Sequence, residues 1–312
     1  GTRLAQIYSW RYPERLHRNA MVAVNPPGRF EWDGAILEDQ IRRYARLCAD
    51  DEYCSSRTGD LVESIRTALE GMPERWLVFP VDRDAVLFAT FMGLYSVESA
   101  ASTFDVWLSA ADGDYSGMAL ITAAMGQMLP RDYAWGDGAS KALSADYDFD
   151  PSANYSAEVT PGPYLLGSPA STLGWAAAGS WPANKIPDEY RLVRPSSVET
   201  LMLSGTLDVS TPARNATDQL LPMLENGEQI VLSEFAHTSD LYSLQEDATR
   251  RLLRTFFETG EVDRSAFVPH RVNFEPGWGF PLIAKLLVGG AALLLILVLA
   301  TAAFVVRRIR RR

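Results

Sequence analysis

Two side chains of this 312-residue chain have the types and placement to activate a nucleophile together. Asp208 lies in Ser204-Gly205-Thr206-Leu207-Asp208-Val209-Ser210-Thr211-Pro212, and His237 in Glu234-Phe235-Ala236-His237-Thr238-Ser239-Asp240. An imidazole takes and returns a proton near neutral pH, and a carboxylate on its other nitrogen holds one tautomer and stabilises the cation. Each residue alone has a plainer reading. Asp208 serves as well in a turn, Thr211-Pro212 reads as a helix N-cap followed by proline at the first position, and a single loop histidine is usually structural. The pair, in that order, is what points to chemistry. The two other histidines carry less: His17 precedes a strand at the opposite edge and reads as structural, and His270 reads as solvated.

The elements around the pair explain why it should meet. Apolar runs at 198–204 and 229–232 read as buried strands, with a helix starting near Pro212 between them and another over 244–257. This is the βαβα rhythm of a parallel sheet, whose successive loops emerge side by side at the carboxyl edge. A third strand is expected at 20–24, stopped by Asn25-Pro26-Pro27-Gly28, after a helix over 2–10. The stretch 33–129 is helical in character, with three- and four-residue apolar spacing in 36–47, 61–69, 85–95 and 117–128. From 132 to 195 the chain turns rich in Gly, Pro, Ser and aromatics and reads as ordered loop.

The carboxyl terminus has a different physics. Residues 286–306 form an uncharged run of 21, mostly Leu, Ala and Val, followed by Arg307, Arg308, Arg310, Arg311 and Arg312. At 1.5 Å per residue such a helix spans roughly 30 Å, one hydrocarbon core. The arginines place the tail 307–312 on the cytoplasmic side and the preceding domain outside, with Lys285 snorkelling to the opposite headgroups. Residues 263–279 are expected to form a tether, with Phe274, Trp278 and Phe280 as an aromatic belt above a membrane helix over 280–306. No export signal is recognisable at Gly1, so an upstream segment is expected. With Lys285 and the five terminal arginines set aside, 23 basic residues face all 39 acidic ones, a net charge of −16 on residues 1–284. Nucleic acid is excluded as an expected partner. Cys48 and Cys54, six apart, are a disulfide candidate for an exported domain, worth about 2 kcal/mol by loop entropy. No third Cys or nearby His completes a metal site, and no cofactor is implied.

Further segments accompany the Asp and His loops: Arg11-Tyr12-Pro13-Glu14-Arg15 with Asn25-Pro26-Pro27-Gly28, Arg194-Pro195-Ser196, Leu221-Pro222 with Asn226-Gly227, and His237-Thr238. In these residues the chain resembles the carboxyl-terminal two-thirds of a serine α/β-hydrolase of the tripeptidyl and prolyl aminopeptidase branch, over roughly residues 1–268. The resemblance implies an α/β fold containing the last three of eight strands, with core segments at 1–28 and 196–262 and a large, mostly helical cap at 29–195. It assigns Asp208 as acid and His237 as base. It places the nucleophile in a Gly-x-Ser-x-Gly-Gly elbow three residues before Gly1, outside this chain, with the oxyanion-hole loop further upstream. Ser9, Ser204 and Ser239 lack the glycine-flanked turn that exposes a nucleophile. The fragment alone is therefore expected to be inactive, with the strand at 20–24 keeping an open edge.

The expected function is that of a single-pass, membrane-anchored extracytoplasmic serine peptidase releasing amino-terminal residues or tripeptides, its partners a peptide substrate and, through 280–306, the bilayer. Glu98, Asp105 and Asp112 are cap carboxylates that could hold the substrate's ammonium. An esterase or lipase on the same fold and a non-catalytic surface-binding protein are the rival readings. Asn154-Tyr155-Ser156 and Asn215-Ala216-Thr217 match a glycosylation acceptor pattern.

Overall fold

The structure, a computed structural model, describes residues 1–29, 32, 34–132, 134–146, 164–171, 181–182 and 184–311. It is a mixed helix and sheet chain around a three-stranded parallel sheet, with one long apolar helix at the carboxyl end. The strands are β1 (Asn19–Val22), β4 (Thr200–Gly205) and β5 (Gly227–Leu232), in the order β1-β4-β5. Asn19 aligns with Thr200, and Thr200 in turn with Gly227. Every residue of β4 is buried, as expected of a central parallel strand.

Side-chain alternation divides β4 between two cores. Leu201 and Leu203 face a cluster with Ala23, Ile230, Phe235, Leu252 and Phe256. Met202 faces the other way, with Met21, Val24, Ala216 and Leu220. Each of the three central β4 side chains has no exposure, and burial of that kind stabilises by about 1.5–3 kcal/mol per side chain.

The helices are α1 (Thr2–Arg11), α2 (Gly34–Asp50), α3 (Glu52–Arg57), α4 (Leu61–Glu70), α5 (Arg83–Gly93), α6 (Val97–Ala111), α7 (Ser116–Asp132) and α8 (Trp135–Ala139), followed by α9 (Ala213–Asn215), α10 (Thr238–Ser243), α11 (Glu246–Thr259) and α12 (Phe280–Arg310). Aspartates start several of them: Asp51 accepts from Cys54 N, Asp60 from Val62 N and Glu63 N, and Asp82 from Ala85 N. Helices α2 to α7 share one core with Leu207, Val209 and Ala236 from the strand-end loops, so the helical layer sits over the carboxyl edge of the sheet.

Several sequence expectations need correction. Strand β1 begins one residue earlier than expected and ends at Val22, where Ala23 turns to φ 56°. A two-strand hairpin, β2 (Arg75–Trp76) with β3 (Phe79–Pro80), interrupts the helical stretch. The residues described within 135–146, expected as loop, are helical. The helix expected at Pro212 is one α turn, continuing as π-type turns over Ala216–Leu220. Cys48 and Cys54 are joined by a disulfide that links α2 to α3.

The tether also differs. Phe274 is buried against Tyr44 and Phe104 instead of standing in an aromatic belt, and Val272 N donates to Glu234 Oε2 at 2.7 Å. His270 is half-buried with its ring 5.5 Å from Phe235, and its Nε2 has no hydrogen-bond partner. Apolar side chains at 272 and 274 have a better place in the helical core than in water. Lys285 has a partner within the chain: its Nζ pairs with Asp114 Oδ2 at 2.6 Å. Burial alone would raise the Asp114 pKa, but hydrogen bonds from Lys285 and Ser116 prevail and lower it. Asn215 is buried and donates to Asn25 Oδ1, so it is closed to a glycan; Asn154 lies outside the described residues.

Beyond α11 the chain turns at Gly260, φ 82°, and Asp263 receives Ser265 Oγ at 2.6 Å, Ser265 N at 3.0 Å and Arg251 Nη2 at 2.7 Å. The Ser265 hydroxyl and amide, then Arg251, hold this carboxylate down at about 2. A carboxyl with a depressed folded pKa contributes stability above its unfolded value of about 4 and loses it as pH falls through the folded value. We expect Asp263→Asn to have a lower thermal midpoint than the unaltered protein at pH 5, with the gap closing between about pH 4 and 2; melting curves of both proteins across that range check it.

Candidate active site

Strand β4 ends at Gly205 and delivers Asp208 three residues on, while β5 ends at Leu232 and delivers His237 five residues on. Because the strands are parallel neighbours, both loops leave the same edge. They are sewn together there by backbone: Thr206 N donates to Leu232 O at 3.0 Å, Leu207 N to Phe235 O at 2.9 Å, and Glu234 N to Thr206 Oγ1 at 2.9 Å. Glu234 takes a left-handed conformation, φ 59°, which folds the His loop back over the end of β4. Gly205 is what permits that approach. A Cβ built there would lie 2.2 Å from Phe235 O and 2.3 Å from Ala236 O.

His237 Nδ1 lies 2.9 Å from Asp208 Oδ2 and 3.1 Å from Oδ1. Asp208 is fully buried, and its other donors come from its own loop: Ser210 N at 2.9 Å, Thr211 N at 2.8 Å and Thr211 Oγ1 at 2.7 Å. Thr211 was expected as a helix cap, but its hydroxyl serves the carboxylate. An acceptor-only carboxylate makes His237 Nδ1 the protonated nitrogen. His237 Nε2 bonds to none of the described residues, and the side chain keeps 19% exposure. The sequence pair is therefore brought into a tautomer-fixed dyad with one nitrogen open.

Residues that the sequence did not single out hold the dyad from the helical side. The Tyr95 ring meets the His237 ring edge-on, centroids 4.7 Å apart, and Tyr95 O accepts from His237 N at 3.1 Å. Tyr95 Oη donates to Ser210 Oγ at 3.0 Å, which also receives Trp32 Nε1 at 3.2 Å. Asp240, 1% exposed, accepts from Ala236 N at 2.9 Å and Val97 N at 3.0 Å through one oxygen. It fixes the residue before His237 to the first turn of α6. Tyr44, buried beneath, has a hydroxyl without a partner; burial first, then the nearby Asp240 and Asp208 charges, raise its pKa and keep it neutral. A buried aspartate in the His loop is a readable signal. Tyr95 has none, because its spacing is that of any core helix residue.

The other expected site residues fall elsewhere. Asp105 is mostly buried and paired with Arg57 at 3.1 Å, Asp112 is 73% exposed and 4.0 Å from the same arginine, and Glu98 is exposed on the first turn of α6. Ser9 is buried in α1 and donates to Ala5 O, Ser204 is buried in β4 and accepts from Gln229 Nε2, and Ser239 is exposed in the first turn of α10. His17 sits at the far edge, its Nε2 3.2 Å from Phe257 O. No group of three or more His, Cys, Asp or Glu among the described residues could hold a metal ion. No protein-family model matches the chain, and no curated protein matches it.

Removing the Asp240 carboxylate strands two buried amides, each costing about 1–3 kcal/mol when unpaired. We expect Asp240→Ala to lower stability by about 3 kcal/mol and Asp240→Asn, which keeps an acceptor oxygen, by less than half of that; thermal unfolding of the two variants in one detergent gives the comparison.

Proposed function

We propose that this chain is the acid-and-base part of a serine hydrolase of the α/β-hydrolase kind, anchored in a membrane by α12 with its catalytic domain outside. The single observation that supports it most is the Asp208–His237 contact in successive strand-end loops, with Nδ1 committed to the carboxylate and Nε2 open. In the reaction Nε2 takes the proton of an attacking serine hydroxyl, Asp208 stabilises the imidazolium, and the proton then passes to the leaving group. Water, activated by the same nitrogen, releases the acyl group.

The serine belongs to the segment that the resemblance puts before Gly1. The position of α1 supports this reading: Gln6 Nε2, in its second turn, donates to Asn25 O beyond the carboxyl end of β1, so the helix starts at the edge that carries the dyad. The order β1-β4-β5, with Asp208 after the second strand and His237 after the third, supports reading them as the last three strands of a hydrolase sheet with acid before base.

The substrate we propose is a peptide with a free amino terminus, its ammonium drawn by the net charge of −16 on residues 1–284 and by Glu98. In the protein expressed from its native gene, Asp208→Asn should lower kcat for peptide amides by about 10³–10⁴ with KM little changed, because the amide misorients the imidazole. His237→Ala should lose turnover to a similar degree. Unchanged peptide hydrolysis in both would exclude the dyad, and turnover confined to carboxylic esters would make the enzyme an esterase.

A further inference from the structure

The first turns of α12 are not free of the domain. Pro281 and Ala284 are buried against α7, Ser116 Oγ donates to Pro281 O at 3.3 Å, and Lys285 pairs with Asp114. A groove of about 180 Å³ is lined by Leu287 and Ala291 of α12, Ala123 of α7 and the hairpin residues Trp76 and Phe79. From Gly289 onward every described residue of α12 is exposed.

The length of the apolar run decides where the bilayer must begin. Residues 286–306 hold no charge and are 21 in number, about 31 Å of helix against a hydrocarbon core of roughly 30 Å. There is no slack. If the surface of the hydrocarbon lay below Ala291, the fifteen residues from Ala292 to Val306 would supply only about 22 Å. Lys285 and Asp114 therefore stand at the headgroup level, and the groove walls at Leu287 and Ala291 lie inside the apolar layer. Whatever of the domain faces them lies there too.

The chemistry of that face agrees. The hairpin tip presents Leu77 at 66% and Val78 at 74% exposure, and Leu77 holds a left-handed conformation, φ 54°, that turns the tip outward. Helix α7 carries no charge from Ser116 to Pro130 and exposes Met128. Large apolar side chains exposed together mark an interaction surface. Arg75 and Arg83, both exposed, flank the hairpin tip in sequence, where cations meet lipid phosphates. Asp82 and Asp84, also exposed at the start of α5, limit how deep this edge can sink.

We propose that the helical cap is itself a membrane-contacting element: the hairpin tip Leu77-Val78-Phe79 and the adjoining edge of α7 insert into the outer leaflet beside α12. The occupant of this apolar face is lipid acyl chain. The inference rests on α12 spanning the membrane, and it adds a second, shallow anchor that fixes the orientation of the domain over the bilayer.

The test uses the protein from its native gene in phosphatidylcholine nanodiscs, with an environment-sensitive fluorophore on Val78→Cys, on Leu295→Cys in the middle of the span, and on Glu258→Cys at the far side of the sheet. Both cysteines of residues 1–312 are in the disulfide, and the parent protein without a new thiol, treated in the same way, gives the background labelling. We expect emission at shorter wavelength, quenched by bromine-bearing lipid, at positions 78 and 295, and neither effect at 258. Quenching at 295 with a water-like signal at 78 overturns the insertion. A water-free but unquenched signal at 78 also overturns it, since a second copy of the chain would then cover the face. A water-like signal at 295 rejects the membrane span itself. Leu77→Cys, also exposed, repeats the measurement should the first variant fold poorly.

Discussion

A carboxylate with no access to water is tolerated only where donors surround it. Asp208 is such a carboxylate, and much of the local architecture supplies its donors: two backbone amides and a hydroxyl from its own loop, and the imidazole from the next. The parallel pairing of β4 and β5 brings those loops to one edge, and Gly205 lets the His loop close over the strand end. The turn at Glu234 and the Asp240 brace then hold the imidazole where the fourth donor is needed. Stability and chemistry share this interaction, since the hydrogen bond that satisfies the buried charge also leaves Nε2 as the free base.

The same logic explains what could be read in the sequence. Strands β4 and β5 were legible because their apolar runs end in turn residues, and the Asp–His order was legible because loops after parallel strands are neighbours by geometry. Boundaries drifted by one or two residues, as hydrogen bonding at element ends depends on distant partners: Thr200 N, for example, bonds to Asn226 O. The irregular run after Pro212 was less legible. Its composition is helical, but only one α turn forms before wider π turns place Ala216 and Leu220 on the sheet.

Long-range satisfaction was not legible at all. Nothing local distinguishes Tyr95 from other aromatic positions in the helical layer, yet its ring and carbonyl both address His237. Phe274 beside a membrane helix reads as interfacial, but Tyr44 and Phe104 offer it a dry pocket. Lys285 next to an apolar run gives no sign of a protein partner, yet Asp114 pairs with it from within the chain. In each case the competing partner lies far away in sequence, and only the fold brings it near. The result is a site braced from the helical layer and a helical layer braced against α12.

The most direct measurement of the central claim is covalent labelling of the membrane-bound protein, expressed from its native gene, with a fluorophosphonate, which reacts with a serine only when a poised base has activated it. The account predicts stoichiometric, heat-sensitive modification of one serine outside residues 1–312, found by mass spectrometry of the digested protein, and its loss when His237 is replaced by Ala. Absence of labelling, or labelling equally strong without His237, would contradict it.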